Sequence, residues 1–164
     1  MKGLIVYATK HGSVAKAAEL LLAHLPKTTD VVDLSRDAAP SDLTKYDFVL
    51  IGASVYAGKI QKSVIRFLKN YESLLLQQPL GLFVCAGEKN PEKQRQQLEK
   101  AFPEKFVQHA TATATVGSAF YVEKLNFLEK LIVRIIKGNL TNYENFDEQA
   151  IAQFAQTMLG KERK

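Results

Sequence analysis

A single cysteine, Cys85, among 164 residues leaves no partner for an internal disulfide, and an intracellular, reducing setting is expected. No apolar run approaches the roughly 18 to 20 residues that a spanning helix needs, so no membrane crossing is expected. The chain passes from Met1 directly into an apolar strand pattern, without the basic region, long apolar stretch and cleavage site of an export signal. No interleaved basic and aromatic array is present, which argues against a nucleic-acid partner. The glycine spacing of a dinucleotide fingerprint is missing, as is the Gly-Lys-Ser/Thr of a P-loop. No His/Asp or paired-carboxylate arrangement marks a general base, and no metal site is expected.

Hydrophobic residues make up 46% of the chain, enough to bury a full core in one domain spanning 1–164. The formal charge of +5 and pI near 9.2 point to an anionic partner without choosing among nucleotide phosphate, nucleic acid and lipid surface.

Strand-length apolar runs alternate with segments of helical period, the pattern of βαβ units around a parallel sheet. Strands are expected at 3–7, 30–34, 47–52, 80–85 and 111–116. The third is apolar almost throughout, as in strands buried on both faces. Helices are expected at 13–25, 60–71 and 91–102, the last opened by Pro91 at a first-turn position. A final helix is expected from Asn145, with Glu148 completing a capping box and Gly160 closing it. The fold class is thus α/β, a doubly wound five-stranded parallel sheet of order 2-1-3-4-5 with helices on both faces, plus an extra helical segment at about 118–143.

In such a sheet ligands sit beyond the carboxyl ends of the strands, where strand order reverses. The loop after the first strand reads Thr9, Lys10, His11, Gly12, Ser13, Val14 and runs straight into a helix N-terminus. Its small residues let backbone N–H groups close on an anion, the helix dipole adds positive charge, and the Thr9 and Ser13 hydroxyls can donate to phosphate. A hydroxyl-capped helix start after a turn explains the same spacing, and both readings stand.

Here the sequence resembles the flavodoxin family, whose first loop has Ser/Thr, two variable residues, Gly, one variable residue and Thr/Ser. Thr9 to Gly12 match, while the last hydroxyl falls on Val14, which offers its backbone N–H alone. The resemblance implies FMN as cofactor and flavin-centred redox chemistry with no separate catalytic residue assigned. Ser54, Val55, Tyr56, Ala57 and Gly58 follow the third strand, and Tyr56 is the residue expected to cover one face of the isoalloxazine by stacking. A tyrosine packed at the sheet edge is the alternative. Ala86, Gly87 and Glu88 would present backbone groups to the pyrimidine edge of the flavin. Cys85, without a partner thiol, is expected to be a small buried residue.

The stretch from Gly52 to Phe67, together with the extra segment, resembles the bacterial menaquinone-dependent protoporphyrinogen dehydrogenases. That implies oxidation of a hydrophobic substrate, electron delivery to a quinone and a place in haem biosynthesis. An electron carrier serving redox partner proteins is the alternative, and a module that has lost FMN stays open through Val14. Segment 124–137, opened by Lys124 and closed by Lys137, has helical period, with a polar stripe at Asn126, Lys130, Arg134 and Lys137. Such a helix suits peripheral contact with the inner face of a membrane in an otherwise cytoplasmic protein, or docking on its own sheet or another subunit. The extra segment is expected to serve substrate or membrane engagement, with the flavin site complete without it.

Overall fold

In the computed structural model, which describes residues 1–138 and 141–160, the chain builds a parallel sheet from β1 (Gly3–Tyr7), β2 (Asp30–Asp33), β3 (Phe48–Ser54), β4 (Leu80–Cys85) and β5 (Ala112–Thr115). Their order is β2-β1-β3-β4-β5, as the alternation of strand and helix signals implied. β1, β3 and β4 are buried almost without interruption because helices cover both sheet faces, so every strand side chain has an apolar neighbour.

The period of two sorts those side chains between two cores. Leu4, Val6, Val49, Ile51, Leu82 and Val84 point to one face. There they meet α2 (Lys62–Asn70), the short α3 (Glu72–Leu75), α4 (Pro91–Ala101) and α5 (Glu104–His109). Ile5, Tyr7, Leu50, Phe83 and Cys85 point to the other, where α1 (Ser13–Leu22) and α7 (Glu148–Met158) pack. Gly52 follows from this packing, because a Cβ there would stand 2.1 Å from Cζ of the fully buried Phe83.

Several expectations need correction. α3 and α5 were not foreseen, α1 stops at Leu22, and α2 starts at Lys62. The final helix does not start at Asn145: Asp147 is its cap, accepting from Ala150 N–H at 2.9 Å, because Asn145 is spent in a strand. That strand, β7 (Tyr143–Phe146), pairs antiparallel with β6 (Gly117–Phe120) in register Gly117↔Phe146 to Phe120↔Tyr143. The extra segment is therefore a two-stranded ribbon that carries a 3₁₀ turn, Val122–Lys124, and α6 (Phe127–Lys137) at its tip. α6 starts later than expected, at a capping box in which Asn126 accepts from Glu129 N–H. Residues 139–140 of the expected segment, and the side chain of Lys137, lie outside the described residues.

Candidate functional site

A cleft of about 410 Å³ opens where the loops after β1, β3 and β4 meet the inner side of the ribbon and α6. The first loop is shaped by its own side chains. Thr9 Oγ1 accepts from Gly12 N–H at 2.9 Å, and Gly12 takes a left-handed φ of 90° that brings the chain into α1. Among the described residues, the N–H groups of Lys10, His11, Ser13 and Val14 have no hydrogen-bond acceptor. Unpaired N–H groups converging at a helix start form a seat for an anion. The side chain of Val14 is fully buried among the helices.

Ser13 lines the cleft. Its hydroxyl oxygen accepts from Ala119 N–H at 3.0 Å, which ties β6 to the start of α1. Behind it, burial pushes the Cys85 thiol up to about 12, opposed by a hydrogen bond from the Ser13 hydroxyl. Cys85 is the buried small residue the sequence suggested.

In the second loop, Tyr56 and Lys59 exchange backbone hydrogen bonds of 2.7 and 2.9 Å across Ala57 and Gly58, both at positive φ. This tight turn lifts Tyr56 to the cleft mouth, 57% exposed. A sheet-edge packing position would have buried it. Ser54 lies deeper, its Oγ accepting from Gln61 Nε2 at 2.6 Å while its own proton stays available for an anion. Ala86 and Gly87 line the third side. Glu88 does not line the cleft: its carboxylate accepts from Lys89 and Asn90 N–H, which holds its pKa below the usual carboxylate range. Gly12, Val14, Ala57 and Gly58 shape the loops without lining the cleft.

The ribbon and α6 add what the sequence reading left out. Phe120, Leu125, Ile132, Val133 and Tyr143 form an apolar wall opposite the loops, and the Phe120 and Tyr143 rings stack at 5.9 Å. Glu129 reaches into the cleft. Its Oε2 lies 2.8 Å from His11 Nε2 and 3.6 Å from Lys10 Nζ, and Lys10 Nζ also stands 5.0 Å over the Tyr56 ring. A His–carboxylate pair is thus present in the cleft after all. No local pattern carries it, because its members lie far apart along the chain. The extra segment forms one whole wall of the cleft. The spacing of Glu129, Ile132 and Val133, one helical face, was the available signal.

Much of the rest of α6 is bare. Phe127 is 84% exposed, and Ile135 and Ile136 are each 75% exposed. No helix among the described residues is long and apolar enough to cross a membrane.

These features fit FMN. The unpaired N–H groups and the Ser54 hydroxyl suit its phosphate, and Tyr56, exposed at the mouth, suits the covering of a flat ring. A flavodoxin-domain family model matches residues 4–147. Over 144 residues the chain is 24% identical to protoporphyrinogen IX dehydrogenase [quinone] of Escherichia coli strain K12, covering 83% of this chain and 78% of that one. Its fold is similar to that of a short-chain flavodoxin associated with a bacterial microcompartment, with a TM-score of 0.64 at 18% identity over 98% of this chain and 99% of that one. It is also similar to oxidised flavodoxin 2 from Bacillus cereus, with a TM-score of 0.61 at 17% identity, covering 98% and 99% of the two chains. With its strand order and this match over most of its length, the chain belongs to the flavodoxin-domain family, an FMN-binding fold.

Proposed function

We propose that residues 1–164 act as one FMN-dependent oxidoreductase unit that oxidises a hydrophobic substrate of the protoporphyrinogen type and delivers the electrons to a quinone. The observation that carries this reading is the apolar wall of Phe120, Leu125, Ile132, Val133 and Tyr143 facing the flavin loops. An electron carrier that only meets protein partners has no need of such a wall, whereas a flat apolar substrate has to be held against the flavin and shielded from water. Similarity to the Escherichia coli dehydrogenase supports the same substrate class and a role in haem biosynthesis.

When bound, FMN supplies the two-electron chemistry. The loop N–H groups of Lys10, His11 and Ser13, with the Ser54 hydroxyl, would hold its phosphate, and Tyr56 would cover the ring. Val55, Ala86 and Gly87 keep the floor small enough for the flavin to lie close. The exposed outer face of α6, with Lys130 and Arg134 beside it, brings the cleft to the cytoplasmic membrane surface where quinones reside.

The test is anaerobic. The purified protein should release FMN on denaturation, and protoporphyrinogen should bleach the flavin absorbance, with colour restored by a quinone. FMN release without bleaching would favour the electron-carrier reading, and recovery of FAD alone would overturn the cofactor assignment.

A further inference from the structure

His11 sits in the first loop with its side chain 14% exposed, and its two ring nitrogens face different surroundings. Nε2 lies at ion-pair distance from Glu129, without the alignment of a hydrogen bond, while Nδ1 is buried with no partner among the described residues. Glu129 does not point there by accident. Its N–H donates to Asn126 Oδ1 at 2.8 Å and its Oε1 accepts from Asn126 N–H at 3.4 Å, so the start of α6 aims the second carboxylate oxygen at the loop.

We propose that Glu129 is a positioning residue for the cofactor phosphate, acting through His11. The inference rests on the FMN reading above and deepens it. An imidazole that meets a carboxylate with one nitrogen and a phosphate with the other can serve both anions only as the imidazolium, paired with the carboxylate through Nε2 and donating to the phosphate through Nδ1. Glu129 holds the ring in place and balances its charge, leaving the buried Nδ1–H for the phosphate. A carboxylate near a phosphate seat is repulsive on its own. Here Lys10, 3.6 Å from Glu129, offsets the single carboxylate, and the Lys10, His11 and Ser13 N–H groups add donors to the seat. The arrangement supplies by side chain the donor that Val14 lacks, and it makes the extra segment part of the cofactor site.

Glu129→Gln is a discriminating variant, because glutamine at this helix position still completes a capping box and leaves α6 capped. The full chain, stripped of flavin, is titrated with FMN and with riboflavin, which has no phosphate. Glu129→Gln and His11→Asn should each weaken FMN about tenfold, the lower end for a charge-assisted hydrogen bond, while leaving riboflavin unchanged. The double variant should lose little more than either single one. The phosphorus resonance of bound FMN should shift in both variants. Tighter FMN binding by Glu129→Gln would mean that the carboxylate competes with phosphate, and equal weakening of FMN and riboflavin would mean a merely structural role. Either result overturns the proposal while leaving FMN binding in place. Failure of the parent chain to bind FMN would instead overturn the cofactor reading, and this inference with it.

Discussion

Gly117 is where the chain leaves the sheet and turns into the ribbon, and replacing it with alanine should cost far more than a single methyl group suggests. Its φ is 91°, and a Cβ there would stand 2.2 Å from Asn145 O and 2.8 Å from Phe146 Cα. Both are backbone atoms of β7, so no rotamer change relieves the collision. Left-handed strain in an L-residue contributes about 1 to 2 kcal/mol, and forcing two packed backbones apart about 1 to 3 kcal/mol more. About 3 kcal/mol is expected, a fall of roughly 6 to 12 °C in Tm for a domain of this size. Gly58→Ala is the control. Its φ is 76°, but nothing lies within 4 Å of a Cβ there, so only the strain of about 1 kcal/mol should appear. Thermal and urea unfolding followed by circular dichroism measure both. Gly117 O also accepts from Ala86 N–H at 3.0 Å, so FMN affinity should fall in the Gly117 variant as the third loop loses its anchor. Equal losses of stability in the two variants would refute the argument that backbone collision, not φ alone, holds glycine at position 117.

Tyr56→Ala removes an exposed ring and should leave Tm unchanged while weakening FMN and riboflavin alike by about 1 to 3 kcal/mol, the scale of aromatic stacking on a base; unchanged flavin fluorescence titrations would refute its stacking role. With burial pushing its thiol up to about 12, Cys85 should resist thiol reagents at neutral pH until the chain unfolds, and fast labelling of the native protein would contradict its buried placement. Ile135→Asp with Ile136→Asp changes side chains that are each 75% exposed. Stability should stay within about 0.5 kcal/mol per site, while binding to anionic vesicles, which should weaken with salt in the parent, is lost. Unaltered vesicle binding would remove the membrane-surface role of α6.

The parallel sheet was legible because its signals are local. Continuous apolar runs such as 48–53 and the helical stripe Val14, Ala17, Ala18, Leu21 are properties of a few neighbouring residues, and burial on both faces leaves such strands no other environment. The loop Thr9 to Val14 stood out for the same reason, since a strand that turns straight into a helix start needs only a short stretch of chain. The far wall of the cleft was not. β6 and β7 are four-residue strands of mixed polarity, and neither has a pattern of its own; each exists because the other pairs with it across the intervening helix. The contact of Ser13 with Ala119 spans 106 positions, and that of His11 with Glu129 likewise joins distant parts of the chain. Such pairings depend on where the ribbon folds back, which Gly117 and the register to Phe146 decide. Local patterning therefore determined the scaffold and marked out the loop after β1. Only tertiary structure brought a carboxylate to the imidazole and an apolar wall to the flavin loops, because non-local contacts leave no period in the sequence.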